Sequence, residues 1–358
     1  MITVTNSDKR VVEVKDNTKN MLAFILYYTK LIYFIRELGK NNAKILVYHS
    51  ISDNEDNFVK GTDIWTPITT FERHLKYIIG HYRVISLKRL VESLNENKIL
   101  RRSVVITMDD GFGDNFYFAY PYLKKYNIEA TIFLVTDCIS KKKPIWIQEL
   151  NYLINSFGVE SIVRTVKKYI KRRKHRCRNL EKVSDIKSRE GLENYFAYCV
   201  SNDFRENLLG KIYGQYDLQK EKIFSETRVF LDGEQIEAMR TNKTAFGNHG
   251  ATHTPLSVMS LLEQKDEIVR SKKVMEETFG CEFLPFAYPF GQKRDFTLDT
   301  MRIVKNAGHS CIVSTMPTLN RVDTSPYDLG RIPVSNIPVF RLAFEMEKGI
   351  LKQVLGKR

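Results

Sequence analysis

Short runs of apolar, β-favouring residues recur along the chain, each bounded by turn-forming residues: 45–48, 104–108, 130–136, 244–247, 284–287, 310–314 and 329–334. Between them, apolar positions fall at helical spacing over 71–79, 87–96, 116–126, 261–279 and 296–307. Strands that alternate with helices pair in parallel, because each helix carries the chain back along the sheet. About seven such units predict an α/β fold, a distorted or incomplete (β/α) barrel of about seven strands with catalytic groups where the strands end.

From about 140 to 230 the short buried strands disappear and long stretches rich in Lys, Arg, Tyr and Leu take their place, which reads as a helical insertion. Within it, residues 164–178 hold nine Lys or Arg and no acid, a run that suits an anionic surface or a solvated helix face. The stretch 21–35, MLAFILYYTKLIYFI, is amphipathic and shorter than the roughly 20 residues a membrane-crossing helix needs. It reads as a helix that either packs on the main domain or lies at a membrane interface. The expected organisation is a polar segment and amphipathic helix over 1–42, a catalytic domain over 43–340, and a C-terminal helix over 341–358.

A chain of 358 residues with 43% hydrophobic composition can bury a sizeable core. Its formal charge of +14 favours anionic partners. Nucleic acid is not expected among them, since the chain carries no standard nucleic-acid-binding motif. The five cysteines, Cys138, Cys177, Cys199, Cys281 and Cys311, are odd in number and form no Cys-x-x-Cys pair, which speaks against a disulfide framework and a structural zinc site. With residues 1–20 polar and no small-residue cleavage site after the apolar stretch, no cleavable signal is expected. The expected location is cytoplasmic, with peripheral contact to an anionic membrane as an option.

Three segments carry candidate chemistry. In Val104-Val105-Ile106-Thr107-Met108-Asp109-Asp110-Gly111, a β-forming run delivers two adjacent carboxylates to a strand end. Neighbours there point differently, so one can ligate a metal while the other accepts a proton from water; Asp-Asp-Gly alone is also a common surface turn. In Asn248-His249-Gly250-Ala251-Thr252-His253, two imidazoles four residues apart can meet on one ion if the segment turns helically between them. Two His plus one carboxylate form a facial set that leaves coordination positions open. The third segment, Phe286-Ala287-Tyr288-Pro289-Phe290-Gly291, is an aromatic turn after an apolar run, with Tyr288 and Phe290 as candidate substrate contacts.

In this order the segments resemble the polysaccharide deacetylases of the NodB-homology type, the fourth family of carbohydrate esterases. Thr107-Met108-Asp109-Asp110-Gly111 matches the family's first motif, Thr-Phe-Asp-Asp-Gly, and the resemblance implies Asp109 as catalytic base and Asp110 as metal ligand. His249 and His253 match the two histidine ligands, with Gly250 where a hydroxyl residue is usual, and 130–135 resembles the strand after the first motif. In the third motif Ala287 stands where the family has arginine, so the task of orienting the base is assigned to Arg331, in Leu329-Gly330-Arg331-Ile332-Pro333 at a strand end. By the same analogy the Phe290 amide is the oxyanion donor.

No histidine near the C-terminus matches the family's usual general acid, His309 standing at a strand start. His49, in Leu46-Val47-Tyr48-His49-Ser50, resembles the general acid of the permuted branch that includes poly-N-acetylglucosamine deacetylases. The implied activity is metal-dependent removal of an acetyl group, N-acetyl before O-acetyl, from an acetylated glycan such as a cell-surface polysaccharide or its lipid-linked precursor. Zinc is the first choice of metal on ligand type, with iron, cobalt or nickel also suited. The alternatives are a hydrolase of the same fold acting on another amide or a glycosidic bond, and a non-catalytic carbohydrate or membrane-surface module.

Overall fold

The computed structural model describes residues 6–98, 101–171, 183, 186–280 and 282–356, leaving aside the side chains of 6–16. Among the described residues the strands are β1 (Lys44–Tyr48), β2 (Ser50–Ser52), β3 (Trp65–Pro67), β4 (Arg83–Val84), β5 (Ser103–Met108), β6 (Ala130–Leu134), β7 (Thr244–Asn248), β8 (Phe286–Ala287), β9 (Ile312–Val313) and β10 (Ile332–Pro333). The parallel sheet runs β10-β1-β5-β6-β7-β8-β9, with β4 paired to the start of β5. A parallel bridge between Val313 and Leu329 ties β9 to the segment that leads into β10, so residues 329–333 touch both edges of the curled sheet. The fold is an α/β distorted barrel.

Alternation along the strands sorts the core into two populations. Val104, Ile106 and Met108 of β5, with Ile132 and Phe246, face outward into one apolar cluster. Ile45, Val105, Phe133, Ala287, Val313 and Leu329 form another cluster inside the barrel. The helices are α1 (Asn6–Tyr28), α2 (Leu31–Leu38), α3 (Ile68–His81), α4 (Leu87–Asn95), α5 (Tyr120–Lys125), α6 (Thr136–Ser140), α7 (Trp146–Phe157), α8 (Val159–Lys171), α9 (Arg189–Tyr198), α10 (Asn202–Gln215), α11 (Lys220–Thr227), α12 (Gly233–Arg240), α13 (Leu261–Phe279), α14 (Leu298–Asn306) and α15 (Val339–Val354). A π-helical turn, Asn115–Ala119, precedes α5, so the helical pattern of 116–126 is wider-wound at its start than expected.

The apolar stretch 21–35 departs from the single helix expected for it. Lys30 sits in the left-handed region at φ 65°, and the chain turns there from α1 into α2. Ala23, Leu26, Ile32 and Ile35 are buried, and both helices pack against α15. Inside the insertion, α7 to α10 build a core of their own around Leu150, Leu153, Ile162, Leu192, Phe196 and Ile212. Of the basic run 164–178, Arg164, Lys167, Lys168 and Lys171 lie on or beside one groove of α8, and residues 172–178 lie outside the described residues. Cys138, Cys199 and Cys311 are free thiols.

Candidate functional site

β5 ends at Met108, and the two residues that follow leave the strand in different directions. Asp109 remains in register with the barrel interior, its amide donating to the Tyr48 carbonyl at 3.0 Å. Asp110 enters the left-handed region at φ 71°, a strained setting for a residue with a Cβ. Gly111 follows at φ 66°, and a Cβ there would meet the Leu134 side chain at 2.6 Å. Both carboxylates are buried, at 1% and 4% exposure.

Asp109 is gripped by Arg331. Nη1 donates to Oδ1 and Nη2 to Oδ2, each at 2.6 Å, in a two-pronged pair. The guanidinium is fully buried; Nε donates to the Ser314 carbonyl at 3.0 Å and Nη1 also to Thr107 Oγ1 at 3.2 Å. Arg331 lies just before β10 and not at its end, and its side chain reaches along the barrel interior past Phe133 to Asp109. Burial raises the Asp109 carboxyl, but the Arg331 guanidinium beside it outweighs this through its charge and hydrogen bonds, and leaves the group below the usual carboxylate range.

The histidines converge on the other acid. His249 Nε2 lies 3.6 Å and His253 Nε2 3.2 Å from Asp110 Oδ1. The segment between them is a loop, so the two rings meet without the helical turn that the spacing alone would require. Gly250 and His253 take left-handed conformations at φ 78° and 56°. Glu267 of α13 accepts from the amides of Ala251 and Thr252 at 2.9 and 2.7 Å, which holds the loop in shape. The His249 Nδ1–H donates to the Ala287 carbonyl at 2.9 Å, leaving the Nε2 lone pair directed at Asp110. Burial holds His249 at about 4, in its neutral, ligand-competent form. For Asp110, burial is outweighed by His253, His49 and His249, and the carboxyl lies far below its ordinary value.

Asp110 Oδ1 is buried without a hydrogen-bond partner, as is His253 Nδ1. Asp110, His249 and His253 form a group able to hold a metal ion. The two measured ligand separations straddle the edge of about 3.4 Å of a tetrahedron with bonds of about 2.0–2.1 Å. One carboxylate and two imidazoles, with an orphaned oxygen between them, therefore fit a divalent ion.

His49 follows β1 and is half-buried. Its carbonyl accepts from Asn115 Nδ2 at 2.8 Å. Asp114 accepts from Asn115 at 2.8 Å and from Ser50 Oγ at 2.5 Å. Phe290, at φ 61°, sets its ring 4.9 Å from that of His253 and 6.0 Å from Trp146. The Tyr288 ring, expected to meet substrate, is packed in the core instead: it is 2% exposed and stacks on Phe296 at 4.0 Å.

Several residues at the site escape a reading of the sequence. Trp146 and Gln148 come from the insertion, in an apolar helix start with no mark of chemistry. Glu267 sits in an ordinary helical pattern. The Asp114-Asn115 pair offers a faint signal, being two polar residues inside an aromatic run just after the acid pair. His309 is buried behind β7, where its Nε2 accepts from Asn248 at 3.0 Å, beside the first histidine of the site.

The family model described as polysaccharide deacetylase matches residues 96–176 and 208–312. A Bacillus subtilis (strain 168) protein, named provisionally as polysaccharide deacetylase YxkH, is 38% identical over 293 residues, covering 81% of this chain and 71% of its own. The fold is similar to that of Streptococcus pyogenes deacetylase PplD, solved in complex with acetate, with a TM-score of 0.57 at 17% identity over 85% of this chain and 98% of the other. It is also similar to IcaB from Ammonifex degensii, with a TM-score of 0.55 at 15% identity over 86% and 97% of the two chains.

Proposed function

The chain belongs to the polysaccharide deacetylase family and is a carbohydrate deacetylase, and from that premise we propose that it removes N-acetyl groups from an acetylated glycan with the help of a divalent ion. The observation that carries this reading is the orphaned Asp110 Oδ1, faced by two imidazole nitrogens and flanked by a second, ionised carboxylate. Asp110, His249 and His253 would hold the ion, zinc by ligand type. Bound there, it supplies Lewis acidity to the acetyl carbonyl and makes water easier to deprotonate near neutral pH.

The protein's own groups divide the remaining work. Asp109 takes the proton as water attacks the acetyl carbon. Arg331 keeps that carboxylate ionised and fixed in angle through its two-pronged contact. The Phe290 amide donates to the oxygen on which negative charge develops. His49 protonates the departing amine; without that proton an amide leaving group departs poorly. The Phe290 ring and Trp146 wall the site against water on the His253 side.

We further place the enzyme against an anionic membrane surface, near a cell-surface glycan or its lipid-linked precursor. Among the described residues no helix is long and apolar enough to cross a membrane. Met21, Leu22, Phe24, Ile25 and Tyr28 of α1 and Leu31, Phe34 and Leu38 of α2 nonetheless expose between 41% and 66% of their surface, beside exposed Lys19 and Lys30. Sedimentation with anionic vesicles at low salt should pellet the protein, and a protein left in the supernatant refutes this placement.

The activity is tested by acetate release from N-acetylated and O-acetylated glycan oligomers with zinc present. Release from the N-acetylated set, lost on chelation and regained with zinc, is the expected result. No acetate from either set overturns the reading.

A further inference from the structure

The helical insertion has a core of its own, yet its first helix enters the metal site. Gln148, in the first turn of α7, is 1% exposed. Its Nε2 lies 3.4 Å from Asp110 Oδ2, and its Oε1 has no partner. Two positions earlier, the Trp146 indole N–H donates to the carbonyl of His253 at 2.9 Å. The same turn of helix therefore touches one metal-site residue through its carboxylate and another through its backbone.

A buried primary amide is an expensive choice where an apolar side chain of the same size would pack, because the half left unmet loses its hydration. Among the described residues, the side chain that accepts from this amide is that of Asp110. A carboxylate that ligates through one oxygen is well placed only if its other oxygen is held, and here the division is clean. Oδ2 faces Gln148, whereas Oδ1 is unpartnered and faces His249 and His253. The left-handed backbone of Asp110 and His253 makes both residues dependent on such outside support.

We propose that Gln148 is a positioning residue for the metal site, orienting Asp110 so that Oδ1 is the ligand oxygen, with Trp146 steadying His253 from the same helix turn. The insertion is then a working wall of the site, and metal affinity depends on how α7 docks against the barrel. This rests on the metal-dependent reading of Asp110, His249 and His253. It assigns to 146–148 a role that the sequence motifs do not contain.

The test is zinc affinity, measured on the full chain by competition with a chromogenic chelator, with apo-protein melting as a fold control. Gln148→Met keeps size and removes the donor, and should weaken zinc binding about 10–100-fold with little change in apo melting. Trp146→Phe keeps an aromatic ring, though a smaller one, removes the N–H and should weaken binding less. Asp110→Ala separates the two claims. If it loses zinc while Gln148→Met and Trp146→Phe both bind as wild type, this inference fails and the metal reading stands; if Asp110→Ala itself binds zinc normally, the metal reading fails. Should Gln148→Met not fold, Gln148→Leu replaces it, and wild-type affinity in that variant and in Trp146→Phe overturns the proposal.

Discussion

Arg331 and Asp109 stand 222 positions apart in the chain and meet through two hydrogen bonds of 2.6 Å inside the barrel. Arg331→Lys keeps the charge but not the fork, so the carboxylate loses one contact and its fixed angle. With less to oppose burial, the Asp109 carboxyl rises. A base must be ionised to act, so the acidic limb of the kcat profile should move to higher pH, and kcat at neutral pH should fall about 10-fold or more. A profile and rate superimposable on wild type would remove Arg331 from the reaction. Arg331→Met goes further, leaving a buried charge unpaired, and should cost about 3–5 kcal/mol of stability.

Base and ligand can be told apart by asparagine substitution. Asp109→Asn keeps shape and removes the proton acceptor, so kcat should drop about 100-fold or more while bound metal stays near wild type. Asp110→Asn should weaken metal binding, with part of the activity returning as metal is added. The reverse pattern would mean that the two carboxylates have exchanged roles.

Purified protein should carry about one divalent ion per chain, and His253→Ala should lose most of it, because one of three protein ligands is gone. Metal analysis of both proteins decides this. Full deacetylation by metal-free protein would contradict it.

His309 makes a stability prediction with a definite sign. Burial holds its imidazole at about 4 against an ordinary 6.5. Between those values the unfolded chain binds the proton and the folded one does not, so the stability contributed by neutral His309 is complete above pH 6.5 and declines towards pH 4. Asp114 and Glu149, lifted by burial to about 7, act in the opposite direction over a similar range. Comparing wild type with His309→Gln isolates one group: the Tm gap between them should shrink as pH falls from 6.5 to 4. A gap that is constant with pH would show that His309 does not titrate between the two states.

Seven barrel strands were legible because each is a short apolar run closed by turn residues, a purely local signal. The Asp109-Asp110 pair, His249 and His253 were legible by residue type and spacing; the family resemblance singled out Asp110, and the structure brings it together with both histidines. What escaped was information held in backbone conformation and long-range packing. Nothing in Tyr28-Thr29-Lys30-Leu31 marks a left-handed lysine, so the stretch 21–35 read as one helix although it bends at Lys30. A helical turn was the one route by which the spacing of His249 and His253 could be seen to bring them together, whereas Glu267, on a distant helix, holds a loop that does so. Gln148 resembles any amide at a helix start until Asp110 is seen beside it. Tyr288 read as a candidate substrate contact because the partner that buries it, Phe296, stacks from outside the motif.

Asp110, His253 and Phe290 share a left-handed backbone, each with φ between 56° and 71°, and such a conformation costs a residue with a Cβ about 1–2 kcal/mol. Three of these within one pocket set thermal robustness against chemistry. Glycine at any of the three would relieve the torsion and, at the first two, remove a side chain of the group that could hold a metal ion. A laboratory evolution campaign that rewards heat resistance alone, with no assay for turnover, would therefore drift towards glycine or asparagine at 110, 253 and 290, and its hardiest survivors would be inert.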